Sequence, residues 1–245
     1  MNQSQIIILE KTESTNQYAL ANFAKLTDSS LILAKEQSEG RGRRGRKWLS
    51  PQGNIYASFV IKKPLHPEQC TYIGAVSALE TLRQYAPDVP FWIKWPNDIF
   101  TKSTKIAGIL SERHCPENYN KSDGAVIGIG VNLNSGQDYF EYNRLHGTSI
   151  FAETGKENDI VTFAISLHSA LIRNYKIAVD TPDLLFKTWK KENLLIGKNI
   201  DIIPESGFQV TGLFKDIGKD GSLLLILPDG HTRKLYSGDV SVKLK

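Results

Sequence analysis

Residues 39–48 read EGRGRRGRKW, and this stretch guides the interpretation of the whole chain. Glycine and arginine alternate here, so backbone amides can approach an anion closely while guanidinium groups bind its oxygens. Trp48 follows at once and offers a flat face on which a base can stack. Because the stretch lies between two strand candidates, residues 31–37 and 55–61, we predict a long ligand-binding loop over residues 38–53. A solvated basic loop is the alternative.

Composition sets broad limits on the class of protein. The chain has 245 residues, of which 40% are apolar and 23% are charged. These values suit one large domain, or one domain with a small second one, and they exclude a disordered chain. The net charge is +4, but five of the 30 basic residues fall within residues 41–47. The positive charge is therefore local and does not form a general nucleic-acid-binding field.

Three further features concern the compartment. No apolar run approaches the roughly 18 residues that a membrane span needs. The first residues, MNQSQ, lack the basic and apolar regions of a signal peptide. Cys70 and Cys115 show neither a CxxC motif nor metal-ligand spacing, which suits a reducing compartment. We therefore expect a cytoplasmic protein.

Hydrophobic patterning predicts an α+β main domain with a mixed or antiparallel sheet and helices packed on one side. A helix over about residues 14–25 would begin at a capping box formed by Ser14 and Gln17. The other predicted elements are strands over residues 6–9, 31–37, 55–61, 91–95, 105–113 and 124–133, and helices over residues 67–86, 159–178 and 182–191.

After Gly197 the pattern changes to short strand candidates. They cover residues 198–203, 208–214, 222–227, 232–236 and 240–244, and Asp-Gly turn signals occur at residues 220–221 and 229–230. This predicts a small SH3-like β-barrel domain. We place the main domain at residues 1–192 and the small domain at residues 193–245.

A second motif is KWPND at residues 94–98, followed by KIAG at residues 105–108. A lysine before a rigid proline turn can be held in a cleft, and Gly108 leaves room for a ligand near the backbone. Two lysines beside the arginine loop suit a reaction in which negative charge gathers, such as phosphoryl or adenylyl transfer. A hairpin with solvent-facing lysines is the alternative.

A third motif is GIGVNLN at residues 128–134. It lacks the third glycine of a dinucleotide-binding fingerprint, so we reject that interpretation. Its small residues predict a buried strand that backbone or a ligand can approach closely, with Asn132 as a polar tip; an ordinary core strand is the alternative. The five histidines form no metal or triad pattern, and neither a GxSxG motif nor a P-loop occurs.

Taken together, these motifs resemble the biotin protein ligase family, that is, biotin–[acetyl-CoA-carboxylase] ligases. The matching segments are residues 13–16 (ESTN), Gln37, residues 40–48, residues 94–98, Lys105, residues 107–108, residues 128–132 and residues 237–240 (SGDV). The resemblance spans residues 5–245. It implies that the carboxylate of biotin attacks the α-phosphate of MgATP, and that a carrier lysine then attacks the resulting biotinyl-5′-AMP.

The resemblance also implies roles for individual residues, which we state as expectations. Catalytic residues would be Arg43, Lys105 and Lys94, with Asp98 beside the reaction centre. Biotin would contact Ser14, Thr15, Asn16, Gln37, Gly40, Arg41, Gly42, Arg43, Lys105 and Gly108. ATP would contact Arg43, Arg44, Trp48, Asn97 and Asn132. Mg²⁺ would arrive with ATP, and we expect no metal-ligand set within the chain.

The implied partner is a biotin carboxyl carrier protein or domain, and either a monomer or a homodimer would fit. Repressor-type members carry an N-terminal helix-turn-helix domain, whereas here the motifs begin by residue 10. We therefore expect no DNA role and no membrane partner. Two alternatives compete with this interpretation. One is a lipoate or octanoate–protein ligase of similar fold, and the other is a nucleic-acid-binding module that uses residues 41–47.

Overall fold

The larger part of the chain is built on a seven-stranded mixed sheet. The computed structural model describes residues 5–116, 123–203 and 207–242. The strands are β1 (Ile6–Thr12), β2 (Leu31–Gln37), β3 (Ile55–Ile61), β4 (Phe91–Lys94), β5 (Asp98–Thr101), β6 (Thr104–His114) and β7 (Gly124–Val131). Their order is β1-β2-β3-β7-β6-β5-β4. Only the β1–β2 pair is parallel among these strands, so the sheet is mixed and largely antiparallel, which confirms the predicted mixed or antiparallel sheet.

Helices cover both faces of this sheet. They are α1 (Thr15–Ala21), α2 (Pro67–Tyr85), α3 (Gln137–Tyr142), α4 (Ile150–Thr154), α5 (Ile160–Asp180) and α6 (Pro182–Lys191). The main core joins α2, α5 and α6 to one face of the sheet. A smaller core, which includes Ala19, Phe23 and Val60, lies under α1 on the opposite face. The expectation that all helices lie on one side is therefore wrong, and this is why all seven residues of β3 are buried.

Two helix beginnings show how local chemistry sets the boundaries. Asp159 precedes α5, and its carboxylate accepts a hydrogen bond from the backbone N–H of Thr162 at 2.7 Å, as expected of an N-cap. Pro182 opens α6, where its missing N–H costs little. The predicted capping box at α1 is wrong. Ser14 is the N-cap residue, but its side chain makes no capping hydrogen bond.

The C-terminal part forms a separate five-stranded antiparallel sheet. Its strands are β8 (Asn199–Ile203), β9 (Val210–Ile217), β10 (Leu223–Ile226), β11 (Thr232–Leu235) and β12 (Asp239–Val242), in the order β11-β10-β9-β8-β12. Gly221 and Gly230 adopt φ values of 75° and 85° in the two predicted Asp-Gly turns, a conformation that favours glycine. The end of the last predicted strand, residues 243–244, lies outside the described residues. The domain boundary at residues 192/193 stays a prediction.

A hydrogen bond joins the small sheet to the main domain beside the KWPND motif. The indole Nε1 of the buried Trp95 donates a hydrogen bond to the carbonyl oxygen of Gly221 at 2.9 Å. The Asp-Gly turn of the small domain therefore lies next to the β4–β5 turn. Among the described helices, none has both the length and the apolar character required to cross a membrane.

Candidate active site

A cleft opens on the α1 side of the central strands and collects most of the predicted site residues. Its empty volume, including the open mouth, is about 790 Å³. The predicted residues that line it are Ser14, Thr15, Asn16, Gln37, Arg41, Gly42, Arg43, Trp48, Asn97, Asp98, Lys105 and Gly108. Three segments far apart in sequence thus converge as expected.

A buried hydrogen-bond network forms the polar end of the cleft. Gln37 Oε1 accepts hydrogen bonds from the backbone N–H of Thr15 at 2.9 Å and from its hydroxyl at 3.1 Å. The hydroxyl of Ser58 donates to Asn16 Oδ1 at 2.6 Å. Because buried polar groups are stable only when hydrogen-bonded, the network fixes the positions of these side chains.

The glycine- and arginine-rich loop is held in one conformation by its own backbone. Trp48 N–H donates to the carbonyl oxygen of Gly40 at 2.8 Å, and Gly42 N–H donates to that of Arg46 at 2.7 Å. A Cβ atom at Gly40 would lie 2.3 Å from the Trp48 carbonyl oxygen, so only glycine fits there. Arg44 adopts a left-handed φ of 58°. The loop therefore forms a compact turn over the cleft.

Trp48 packs flat against the floor of the cleft. A Cβ atom at Gly130 would lie 2.6 Å from the indole Cε2, and one at Gly108 would lie 3.1 Å from Cζ3. The glycines of the GIGVN strand are closely approached, but by the chain's own side chains and not by the backbone or ligand that the sequence predicts. The indole Nε1 is buried without a hydrogen-bond partner among the described residues, so it offers a donor to a ligand.

Cations converge beside this indole. Lys105 Nζ lies 2.7 Å from Asp98 Oδ1 and 5.1 Å from the centre of the Trp48 ring. Arg43 Nη1 donates to Asn97 Oδ1 at 3.1 Å, and Asn97 Nδ2 donates to the carbonyl oxygen of Ile109 at 2.7 Å. Asn97 therefore orients Arg43 from the KWPND turn.

The charge of the lining favours an anionic ligand. The cations that line the cleft are Arg41, Arg43, Arg46, Lys47 and Lys105, whereas Asp98 is the one lining carboxylate among the described residues. Fixed positive groups at a partly buried site stabilise charge that gathers on bound oxygens. The arrangement suits a reaction that joins two anions.

A β-bulge explains how Lys105 reaches the cleft. Phe100 on β5 pairs with Lys105, but Ile99 pairs with Ala107, so Ile106 is an extra residue in β6. Regular alternation would place Lys105 and Gly108 on opposite faces of the strand. The bulge turns Lys105 to the face of Gly108, where a Cβ atom would lie 3.1 Å from Lys105 Nζ.

Four predicted site residues do not line the cleft: Gly40, Lys94, Arg44 and Asn132. Lys94 Nζ lies 4.4 Å from the centre of the Phe100 ring, so this geometry does not place it at the reaction centre. Asn132 Nδ2 donates to the carbonyl oxygen of Thr148 at 3.0 Å. Gly40 contributes to the loop through its backbone, because its carbonyl oxygen accepts the hydrogen bond from Trp48 N–H. Direct ligand contacts by these four stay predictions.

Sequence reasoning missed other members of the site. Tyr56 and Ala57 line the cleft from β3, but they resemble core residues because they belong to an apolar strand. Burial raises the pKa of the Tyr56 phenol, and its hydroxyl donates to the carbonyl oxygen of Pro51 at 2.7 Å. Glu112 on β6 lies outside the lining but accepts a hydrogen bond from Arg41 at 2.7 Å. Residues 108, 110 and 112 share one face of the strand because side chains alternate. This alternation is the sequence signal that could have placed Glu112 beside the site.

Comparison with known proteins agrees with this arrangement. The chain is 32% identical to a biotin--[acetyl-CoA-carboxylase] ligase of Paracoccus denitrificans, with 91% of this chain and 95% of that protein covered. It is 30% identical to the bifunctional ligase/repressor BirA of Escherichia coli, with 99% of this chain and 75% of that protein covered. A biotin protein ligase from Aquifex aeolicus, solved in complex with biotin and ATP, has a TM-score of 0.80 at 25% identity and covers 99% of this chain and 100% of that one.

The fold, the cation-lined cleft and these relatives together define the class of the protein as a ligase. Residues 8–132 match the model of the biotin/lipoate A/B protein ligase family, and residues 195–243 match that of the biotin protein ligase C terminal domain. The chain belongs to the biotin/lipoate A/B protein ligase family.

Proposed function

We propose that this protein activates biotin with ATP as biotinyl-5′-AMP and transfers the biotin to a lysine of a biotin carboxyl carrier domain. The observation that carries the proposal is the convergence of Arg43, Lys105 and Trp48 in one cleft that is rich in cations. The chain matches the biotin--[acetyl-CoA-carboxylase] ligase of Paracoccus over 95% of that protein's length. The Aquifex structure of similar fold was solved in complex with biotin and ATP.

The first step joins two anions. A carboxylate oxygen of biotin attacks the α-phosphorus of ATP, the bond from that phosphorus to the bridging oxygen breaks, and pyrophosphate leaves. Arg43 and Lys105 offset the repulsion between the carboxylate and the phosphate and stabilise the charge that gathers between them. Asp98 holds Lys105 through their 2.7 Å ion pair.

The second step forms the amide. The uncharged ε-amine of the carrier lysine attacks the carbonyl carbon of the mixed anhydride, AMP leaves with the bonding electron pair, and the nitrogen loses a proton. Before that step the anhydride must be protected from water. The loop of residues 38–53 lies over the cleft and provides this protection.

The remaining assignments concern binding. Thr15, Asn16 and Gln37 form the buried polar end and suit the polar ring of biotin, while Trp48 supplies a face for adenine. Mg²⁺ enters with the phosphates of ATP, because it keeps several waters and binds substrate phosphates. Asp98 is the one carboxylate that the described lining could add. Among the described residues no cluster of three or more metal-ligating side chains occurs.

The proposal also covers partners and compartment. A cytoplasmic location suits an ATP-dependent reaction and the two free cysteines. The acceptor is a carrier domain, and either a monomer or a homodimer is compatible with the cleft. The expectation that DNA is not bound stays a prediction, which a binding titration at low and high salt would test.

The alternative substrate is lipoate, since the family includes lipoate ligases. The match of residues 195–243 to a biotin-ligase C-terminal domain favours biotin. ATP–pyrophosphate exchange by the purified protein, with biotin, with lipoate and with neither, decides between them. Exchange that requires biotin supports the proposal. Exchange with lipoate alone would support a lipoate ligase instead, and the absence of exchange with either substrate would contradict both proposals.

A further inference from the structure

Glu112 links two parts of the cleft that are far apart in sequence. Its carboxylate accepts from Arg41 Nη2 at 2.7 Å through Oε1 and at 2.8 Å through Oε2. The same Oε2 accepts from Asn16 Nδ2 at 2.7 Å. Arg41 belongs to the arginine-rich loop and Asn16 to the first turn of α1. One side chain of β6 therefore holds the loop and orients the polar end of the pocket.

The Asn16 side chain has a single orientation because of this contact. Asn16 is 4% exposed, its Oδ1 accepts from Ser58, and its Nδ2 also donates to the carbonyl oxygen of Leu110 at 3.1 Å. Both amide hydrogens and the amide oxygen are thus used inside the pocket. Loss of the Glu112 acceptor would leave one buried donor without a partner, which is costly.

A carboxylate is the group that this position requires. Glutamate presents two acceptor oxygens, whereas glutamine presents one acceptor oxygen and one NH₂ donor. In a Glu112→Gln variant the NH₂ group would face the guanidinium of Arg41 at the Oε1 position, or both Arg41 and Asn16 at the Oε2 position. The substitution keeps the size of the side chain but removes its negative charge and one of its two acceptor oxygens.

We infer that Glu112 is a positioning residue that holds the arginine-rich loop through Arg41 while it orients Asn16, so that loop closure and biotin binding are coupled. The inference rests on the proposed function for the identity of the ligand. Glu112 fixes Arg41 and Asn16 through contacts made within the chain itself. It lowers the entropic cost of ordering the loop when biotin and ATP arrive.

The first test measures the loop directly and needs no substrate. Residues 41–47 contain five trypsin sites, and we expect them to be cleaved faster when the loop loses its contact with Glu112. Limited trypsin digestion followed by mass spectrometry should show cleavage within residues 43–47 about fivefold to tenfold faster for Glu112→Gln than for the unmodified protein, a modest factor because both side chains are partly exposed. Glu192→Gln is the matched control. It breaks the 2.6 Å pair with Arg83, and Glu192 has similar exposure outside the cleft.

The second test measures the coupling to biotin. In Glu112→Gln the KM for biotin in pyrophosphate exchange should rise about tenfold, with a smaller change in kcat and a melting temperature like that of Glu192→Gln. In an Arg41→Ala background, Glu112→Gln should add little to the cleavage rate. Equal cleavage and equal KM in Glu112→Gln and Glu192→Gln would overturn the inference. If the unmodified protein shows no biotin-dependent exchange, the proposed function fails, while the trypsin result still decides whether Glu112 holds the loop.

Discussion

Lys105 and Asp98 form an ion pair of 2.7 Å between neighbouring strands of the β5–β6 hairpin. Lys105 faces the cleft only because the bulge at Ile106 turns it there. Asp98 begins β5 directly after the KWPN turn, so the turn and the bulge place the two partners together. This pair defines the cationic centre at which we propose that carboxylate and phosphate meet.

Replacement of Lys105 by alanine should slow biotin-dependent pyrophosphate exchange by about 10²- to 10³-fold, because a fixed charge at the developing transition state is lost. Asp98→Asn keeps Lys105 and should cost less. Lys102→Ala is the control, since Lys102 is exposed on the same hairpin and pairs with Glu153. A Lys105→Ala enzyme with a normal exchange rate would remove Lys105 from the reaction centre.

Replacement of Arg43 by alanine should leave the fold intact, because a loop arginine supports no core. The intermediate should escape about 10- to 100-fold faster, since a charge-assisted contact to its phosphate is lost. Gel filtration of enzyme loaded with labelled ATP and biotin measures how long the adenylate is retained. Unchanged retention would contradict the role assigned to Arg43.

Gly130→Ala should displace the Trp48 indole, because the new Cβ atom would lie 2.6 Å from Cε2. We expect a shift in Trp48 fluorescence and a loss of about tenfold or more in kcat/KM, as misplacement of binding groups is expensive. The double variant Gly130→Ala/Trp48→Ala should be no worse than Trp48→Ala alone. If Gly130→Ala leaves both fluorescence and kinetics unchanged, Trp48 does not depend on this glycine.

Asp220 should make the small domain sensitive to acid. A hydrogen bond from the Ser222 hydroxyl, aided by Tyr236 and Lys234, lowers the pKa of Asp220 to about 2. The unfolded value is about 4, so the charged carboxylate stabilises the folded state above that pH and loses its effect as the pH falls towards 2. Asp220→Asn should therefore be less stable than the unmodified protein at pH 7, and the two should converge near pH 2. Parallel stability curves between pH 2 and pH 6 would refute this.

The sequence predicts the regular elements well where the hydrophobic pattern is strong. Strand β2 and helix α6 begin and end at the predicted residues, because a buried strand and a proline-started amphipathic helix carry clear local signals. Strand β5 was missed because it has four residues and begins at Asp98, a residue typical of turns. Helices α3 and α4 have six and five residues, too few for a helical period to show.

The site shows a similar division between local and long-range signals. The Arg/Gly loop and the KWPND motif predict most of the lining, since residue type alone reveals anion chemistry. The placement of Lys105 depends on a one-residue bulge, and that of Trp48 depends on glycines more than 50 residues away in the sequence. Neither a bulge in strand pairing nor a contact between residues distant in sequence leaves a recognisable local pattern. Lys94 stays a predicted site residue, although its ammonium group lies over the Phe100 ring and outside the lining of the cleft.

The central claim is that this cleft makes biotinyl-5′-AMP and passes biotin to a carrier lysine. The most direct measurement is mass spectrometry of a biotin carboxyl carrier domain after incubation with the protein, MgATP and biotin, beside a carrier whose acceptor lysine is replaced by arginine. We predict one biotinyl group on the intact carrier, none on the arginine form and none without ATP. An unmodified carrier, or one modified by lipoate but not by biotin, would contradict the account.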